Sequence, residues 1–355
     1  MSDKRYDYVS FICRAEPFHV GHKEVIDKAL ELADTVIILV GSSNQPRTIK
    51  NPFTFDERKK MILNSYGFGA LGAINSNFQR LHIVPLRDQK YNEQSWASSV
   101  QSIVQSEVTK LGWSDYPKRG ALIGHVKDES SYYLQMFPQW DLIEHAINEE
   151  VNATDIRKIY FESNIRYLRD VVTPEVYQFL ENFSRTADYA TLAKEQAFIR
   201  EYKKAWEAAP YAPTFLTCDA VVVQSGHILL IKRKAEPGKG LWALPGGFVG
   251  QKERIQDAMI RELREETRLK VPSPVLVGNI KDKEVFDYPE RSLRGRTVTE
   301  AFYIELSAGK LPAVKGSDDA KEAKWVPLSF VREEEMFEDH YHIIQHFVGN
   351  VGAAQ

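Results

Sequence analysis

The sequence predicts two domains, a doubly wound parallel α/β domain followed, after a helical connector, by an α+β domain. Three observations lead there. Short apolar runs alternate with helical patterns over roughly the first 170 residues, as in strand–helix–strand units of a parallel sheet. The text then becomes helical and glycine-free, and after residue 210 it turns β-rich. The length of 355 residues allows about two domains at ~150 residues each, hence two separate cores.

Taken in order, residues 8–12 (YVSFI) read as a buried strand, KEVIDKALELADT as a helix and VIILVG at 36–41 as a second strand, closing a β-α-β unit. A helix is expected around FDERKKMILNSY, a strand at LHIVPL, a helix near SWASSVQSIVQSEVTKLG, a strand at ALIGH and a helix around SSYYLQMF. Ligands of such a sheet bind at the carboxyl ends of its strands. Residues 1–172 are assigned to this domain. Residues 173–209 have helical composition, no glycine and one leading proline suited to a helix start, and are assigned to the connector. Residues 210–355 form the second domain, in which CDAVVVQSGHILLIKRK reads as a hairpin turning at Ser225-Gly226, with further strand text at TVTEAFYIEL. There is no internal repeat and no low-complexity segment.

Composition narrows the function. A net charge of −3 without a basic stripe gives no footprint for nucleic acid. No apolar run reaches the ~18 residues of a membrane span, and the opening MSDKRYDYVSF has no signal-peptide core. Cys13 and Cys218 share no metal-ligand or disulfide-framework spacing, so idle thiols in a reducing cytoplasm are expected. Monomer and homo-oligomer both stay open.

The first chemical constellation lies in RAEPFHVGHKEVIDKALELAD, between the first strand and the first helix. His19 and His22, three residues apart at a helix start, can face one anion together with free backbone N–H groups and the positive end of the helix dipole. Gly21 allows close backbone approach. Two surface histidines are the plainer alternative, and zinc lacks a third ligand nearby. R-x-x-P-F-H-x-G-H resembles the signature of the nucleotidyltransferase superfamily, specifically the archaeal-type nicotinamide mononucleotide adenylyltransferases with their Rossmann-like fold. The resemblance extends through GSSNQPRTIKNPFTFDERKKMI, with Arg47, Lys50, Asn51, Pro52, Glu57 and Arg58, and through GHVKDESSYYLQMFPQW to VNATDIRKIY. Two positions depart: Glu16 stands where many relatives have Gln, and Asn152-Ala153 replaces a Ser-rich lead.

That resemblance implies attack of the 5′-phosphate of nicotinamide mononucleotide on the α-phosphorus of ATP, giving NAD and pyrophosphate. Such chemistry needs two phosphates held in line and their charge stabilised. It places Arg14, Phe18, His19, Gly21, His22, Arg47, Thr154 and Arg157 on ATP, with Mg²⁺ (or Mn²⁺) bridging the phosphates, and makes His19, His22 and Arg157 catalytic. It places Asp88 and Trp96 at the nicotinamide end. Trp96 on an amphipathic helix is equally well a core aromatic, and Asn152 with Thr154 an ordinary helix cap.

The second constellation is GGFVGQKERIQDAMIRELREETRL. Glu262, Glu265 and Glu266 lie at i, i+3 and i+4 on one helix face and can converge on hard divalent cations. Ile255, Met259 and Leu263 form the apolar stripe of the same helix. Counted from Gly247, the spacing of Glu253, Arg261, Glu262, Glu265 and Glu266 resembles the Nudix box, with Arg268 standing where the pattern has a helix-ending Gly. The resemblance implies a Nudix fold, an α/β/α sandwich around a mixed sheet. It makes Glu262, Glu265 and Glu266 ligands of Mg²⁺ or Mn²⁺, with Glu265 and Glu266 catalytic and Arg261 orienting the carboxylates. VFDYPERSLRGRTVTEAFY and GSDDAKEAKWVPL resemble ADP-ribose pyrophosphatases fused to this adenylyltransferase type. They put Arg291, Arg294 and Arg296 on ADP-ribose and leave Asp318 and Asp319 as a base or a supporting pair. The implied hydrolysis gives AMP and ribose 5-phosphate. Alternatives are hydrolysis of another nucleoside diphosphate derivative and a non-catalytic ADP-ribose sensor.

Overall fold

In the computed structural model, residues 5–67, 76–112, 119–125, 129–146, 152–162, 165–317 and 319–349 are described, and the chain divides into two compact units, Met1–Ala193 and Lys194–Gln355. In the first unit β1 (Tyr6–Cys13), α1 (Val20–Leu32), β2 (Ala33–Val40), α2 (Phe55–Gly67), β3 (Leu81–Pro85), α3 (Glu93–Lys110), β4 (Gly120–Gly124) and β5 (Asp141–Glu144) alternate as expected. The strands pair in parallel in the order β3-β2-β1-β4-β5. The order reverses beside β1, so the crevice at its carboxyl end is the switch point where such sheets bind ligands. One sheet face packs on α1 and α2 through Val25, Ile26, Met61 and Ile62, the other on α3 through Ala97, Val100 and Val104.

Two local expectations need correction. The segment around SSYYLQMF is a 3-10 helix over Glu129–Met136 rather than an α-helix. The short fifth strand was missed because its residues are mostly exposed, leaving no apolar run to read. Helices α4 (Ala153–Glu162), α5 (Pro174–Phe183) and α6 (Ala187–Lys204) follow. Val176, Leu180 and Phe183 of α5 and Leu192 of α6 are buried in the core of the first unit.

The second unit carries a mixed sheet in the order β10-β11-β6-β7-β12, formed by β6 (Thr214–Gln224), β7 (His227–Arg233), β10 (Ile280–Phe286), β11 (Arg296–Glu305) and β12 (Ala320–Pro327). β11 runs parallel to β6 and the other pairs are antiparallel. Short strands β8 (Trp242–Ala243) and β9 (Gly246–Phe248) lie against β7 and β6, followed by α7 (Ile255–Thr267), the short α8 (Ser273–Gly278) and, at the end, α9 (His340–Val348). Met259 and Leu263 bury the apolar stripe of α7 against the sheet. No helix among the described residues is long and apolar enough to cross a membrane.

Ser225 and Gly226 both take positive φ, 47° and 71°, the backbone of a tight hairpin turn. Arg268 caps α7 in the left-handed conformation, φ 52° and ψ 28°, with its N–H on the Arg264 carbonyl. The cap that glycine would supply is thus formed by an arginine, held by a bond to Ser317 Oγ at 2.9 Å. Arg268→Gly is expected to raise the stability of the second unit by about 0.5–1 kcal/mol, read as an upward shift of its thermal midpoint.

Candidate active sites

The first site forms where β1 runs into α1. His19 is the N-cap of α1, extended at φ −140°, and its Nδ1 accepts the Gly21 N–H at 3.2 Å. With Nδ1 an acceptor, the ring proton sits on Nε2, which is left as a donor for a ligand. The His22 ring lies 3.8 Å from that of His19, centre to centre, and stacks on Phe18 at 5.8 Å. Burial lowers the His19 pKa to about 4 and pushes His22 well below its usual range, so both rings are neutral. His22 Nδ1 is buried without a hydrogen-bond partner. A neutral imidazole pair at a helix N-terminus accommodates phosphate through hydrogen bonds and the helix dipole.

Arg157 and Thr154 arrive on α4. Asn152 Oδ1 accepts the Thr154 N–H at 2.8 Å, and Arg157 donates to the Glu16 carbonyl at 2.8 Å and to Thr154 Oγ1 at 3.1 Å, which brings them to the loop of His19. Arg14 donates to the Lys50 carbonyl at 3.1 Å and to Asn51 Oδ1. Arg47 is engaged elsewhere: its guanidinium binds Glu57 at 2.7 and 3.1 Å, the Pro52 carbonyl at 2.6 Å and Asp188 at 3.1 Å. Contact with a phosphate requires it to leave those partners. Asp88 holds the turn after β2, accepting from Ser42 N–H at 3.1 Å and Ser42 Oγ at 2.9 Å, and Ser42 has a positive φ of 51°. Trp96 is half-buried, edge-on to Tyr133 at 5.8 Å and near Phe137.

Arg58 matters more than its place in the motif suggests. It is 1% exposed and donates to the carbonyls of Arg14 at 2.8 Å, Gly41 at 2.7 Å and Ser42 at 3.1 Å, while its Nε faces Glu16 Oε1 at 3.2 Å. Burial pushes the Glu16 carboxyl up, to about 7, against the opposing pull of Arg58. The departure from Gln at Glu16 thus makes a buried ion pair.

In the second unit α7 presents its carboxylates unequally. Glu266 is 5% exposed and accepts the Gly246 N–H at 2.9 Å, and burial raises its pKa to about 8. Glu262 is half-buried, and its carboxylate lies 2.6 Å from where a Cβ on Gly247 would sit. A Cβ on Gly246 would meet the Cys218 carbonyl at 2.2 Å. Glu265 is exposed at 46% and bound to Arg261, which also holds Glu253 at 2.6 Å and Glu262 at 2.7 Å. No group of three His, Cys, Asp or Glu among the described residues is arranged to hold a metal ion. The pair Glu262 and Glu266 fits a hard divalent cation, because two buried or half-buried carboxylates whose charge burial disfavours need a positive counter-charge.

The three arginines expected on ADP-ribose do not gather. Arg291 is 4% exposed and forms a two-point ion pair with buried Asp339, at 2.8 and 2.9 Å. It serves the interior, a pairing across 48 residues that no local pattern signals. Arg296 pairs with Asp287 at 3.3 Å. Arg294 alone lies near the glycine strand, over the Phe248 ring at 5.3 Å. Asp318 lies outside the described residues, and Asp319 is exposed. Sequence reasoning missed Asp219, a 4% exposed carboxylate bonded to Thr299 Oγ1 at 2.6 Å, although a lone Asp in the apolar run of β6 was a visible signal.

A helix start with two neutral histidines and a carboxylate helix against a double glycine define, respectively, a nucleotidyltransferase-type and a Nudix-type site. A cytidylyltransferase-like family model matches residues 11–159 and a NUDIX domain model residues 214–347. The nicotinamide/nicotinic acid mononucleotide adenylyltransferase of Acinetobacter baylyi is 35% identical over 54% of this chain and 94% of its own. The ADP-ribose pyrophosphatase of Methanocaldococcus jannaschii is 36% identical over 39% of this chain and 75% of its own. A Francisella tularensis bifunctional NMN adenylyltransferase/ADP ribose pyrophosphatase, crystallised with AMP and a manganese ion, superposes with TM-score 0.87 at 37% identity, covering 97% of this chain and 98% of that one. The chain belongs to the family of bifunctional NMN adenylyltransferases/ADP-ribose pyrophosphatases.

Two predictions follow from the first site. Arg58→Met strands Glu16 and three carbonyls, and is expected to cost about 3–5 kcal/mol, measured by denaturant unfolding of the first unit. The second concerns pH. Because the folded His19 pKa is depressed, the unfolded chain takes up a proton below about 6.5 that the native state refuses until about 4. His19 therefore costs stability as pH falls through that window, by about 1.4 kcal/mol per pH unit at most. The stability difference between wild type and His19→Asn is expected to shrink by that slope from pH 6.5 to 4 in urea titrations.

Proposed function

We propose that the first unit transfers the adenylyl group of ATP to nicotinamide mononucleotide, releasing pyrophosphate and NAD, and that the second hydrolyses ADP-ribose to AMP and ribose 5-phosphate. The neutral His19–His22 pair at the N-terminus of α1 carries the first reading. His19 Nε2–H and His22 donate to phosphate oxygens of ATP, the free N–H groups of α1 add to them, and Arg14 and Arg157 supply positive charge. Phe18 supports the His22 ring and Gly21 gives room. These donors stabilise charge that builds on the α-phosphoryl group while the mononucleotide phosphate attacks in line. Asp88 orders the turn after β2, and Trp96 offers a face to the pyridinium ring, a contact worth about 0.5–2 kcal/mol.

In the second unit Glu262 and Glu266 would hold Mg²⁺ or Mn²⁺, with Glu265 joining them if it leaves Arg261. The bound cation would activate water and neutralise the diphosphate. Arg261 keeps Glu253, Glu262 and Glu265 aligned on their shared guanidinium. An intact set of glutamates favours hydrolysis over the sensor reading. The buried free thiols Cys13 and Cys218 support a reducing, cytoplasmic setting.

Purified chain supplied with Mg²⁺ is expected to form NAD from ATP and nicotinamide mononucleotide, and AMP from ADP-ribose, by chromatography of the products. His19→Ala is expected to lower NAD formation about 10²–10³-fold and leave hydrolysis intact, and Glu266→Gln the reverse. Loss of both activities from either change would count against two independent sites. Chelation is expected to abolish hydrolysis, and added Mg²⁺ or Mn²⁺ to restore it.

A further inference from the structure

The last residue of β7, Arg233, has a part-buried guanidinium with no ion-pair partner among the described residues. Arg233 lies over the Phe337 ring at 3.9 Å, and its Nε donates to the Pro237 carbonyl at 2.9 Å. No carboxylate among the described residues comes within ion-pair distance of it. Arg294 approaches the same ring at 6.0 Å and has Glu338 at 4.0 Å. Two guanidiniums thus share one aromatic side chain with a single carboxylate, itself nearer Arg294. Burial and the like charge of Arg294 push the Arg233 pKa down, while Glu338, Glu266 and Asp319 oppose this from further away. Arginine cannot escape by losing its proton. Among the described residues the guanidinium pair is thus left without an ion-pair partner for Arg233, within electrostatic reach of Glu266.

The support is rigid. Phe337 is 4% exposed, and its N–H donates to the Trp242 carbonyl at 2.7 Å, which ties the ring to the strand leading into Gly246-Gly247. Glu338, next along, adopts a left-handed backbone at φ 47°, and its side chain is 8% exposed with Oε1 lacking any hydrogen-bond partner. Strain and an unpartnered buried oxygen at one loop mark a place held for function.

We propose that Arg233, together with Arg294, binds the diphosphate of the second site's substrate from the Phe337 side, complementing the cation that Glu262 and Glu266 would hold. This rests on the hydrolase reading above. A diphosphate offers oxygens on two phosphorus atoms and spans both guanidiniums and the cation. Each product of its hydrolysis keeps one phosphate and spans less, so the clamp favours substrate over AMP.

The test uses the full chain with Mn²⁺, and imidodiphosphate as a probe that resists hydrolysis. Binding is measured by calorimetry, kcat and KM with ADP-ribose, and folding by thermal unfolding. Arg233→Gln is expected to weaken imidodiphosphate at least about tenfold and raise the KM for ADP-ribose similarly, with AMP affinity changed less and Arg233→Lys intermediate. Unchanged probe binding in Arg233→Gln overturns the assignment, as does a wild type that does not bind the probe. So does a loss in both variants matched by a lower melting temperature, which makes Arg233 structural. A wild type that binds the probe through Arg233 but leaves ADP-ribose intact refutes the substrate reading and keeps the clamp.

Discussion

The guanidinium of Arg58, buried beneath the carboxyl ends of β1 and β2, donates to three backbone carbonyls and faces the carboxylate of Glu16, and the first site depends on it. Strand ends leave carbonyls unpaired, and a crevice at those ends would flood them with water or leave them unsatisfied. Arg58 satisfies carbonyls from both strand ends at once, and Glu16 supplies the charge that a buried arginine requires. The loop bearing Phe18 and His19 is anchored by this pair and by the bond from Arg157 to the Glu16 carbonyl. In the second unit Arg261 plays a comparable part at the surface, spread over Glu253, Glu262 and Glu265.

The two sites solve the problem of phosphate charge in opposite ways. In the first, neutral imidazoles, helix N–H groups and arginines would meet the phosphates, and none of the groups assigned to ATP is a carboxylate. In the second, carboxylates come first and a cation must intervene between them and the diphosphate. Buried Glu266, with its raised pKa, shows the tension that a cation relieves. In the proposed clamp Arg233 and Arg294 would add positive charge to that of the cation.

Motif-scale features were legible in the sequence because their physics is local. The cap at His19, the helix of glutamates and the hairpin at Ser225-Gly226 depend on spacing along one element. Partnerships between distant segments were not legible. Arg47 was expected on phosphate, yet Glu57 and Asp188 hold it, and Arg291 was expected on ADP-ribose, yet Asp339 meets it in the interior. Helical spacing put Glu265 beside Glu262 and Glu266, yet at about 100° per residue it is turned away from Glu266 toward solvent, where Arg261 takes it.

The sequence by itself determined the alternation that builds a parallel sheet, the second β-rich core and the chemistry of both motifs, since apolar period and residue type act within a few turns of chain. The tertiary structure decided which charged groups are available. Whether an arginine meets a ligand or a buried aspartate depends on what the fold brings within about 4 Å of it, because desolvated charge must find a partner wherever the packing provides one. Arg233 is the clearest case: unremarkable in KRK, it becomes a candidate for diphosphate only when Phe337 and Arg294 surround it without an acid of its own.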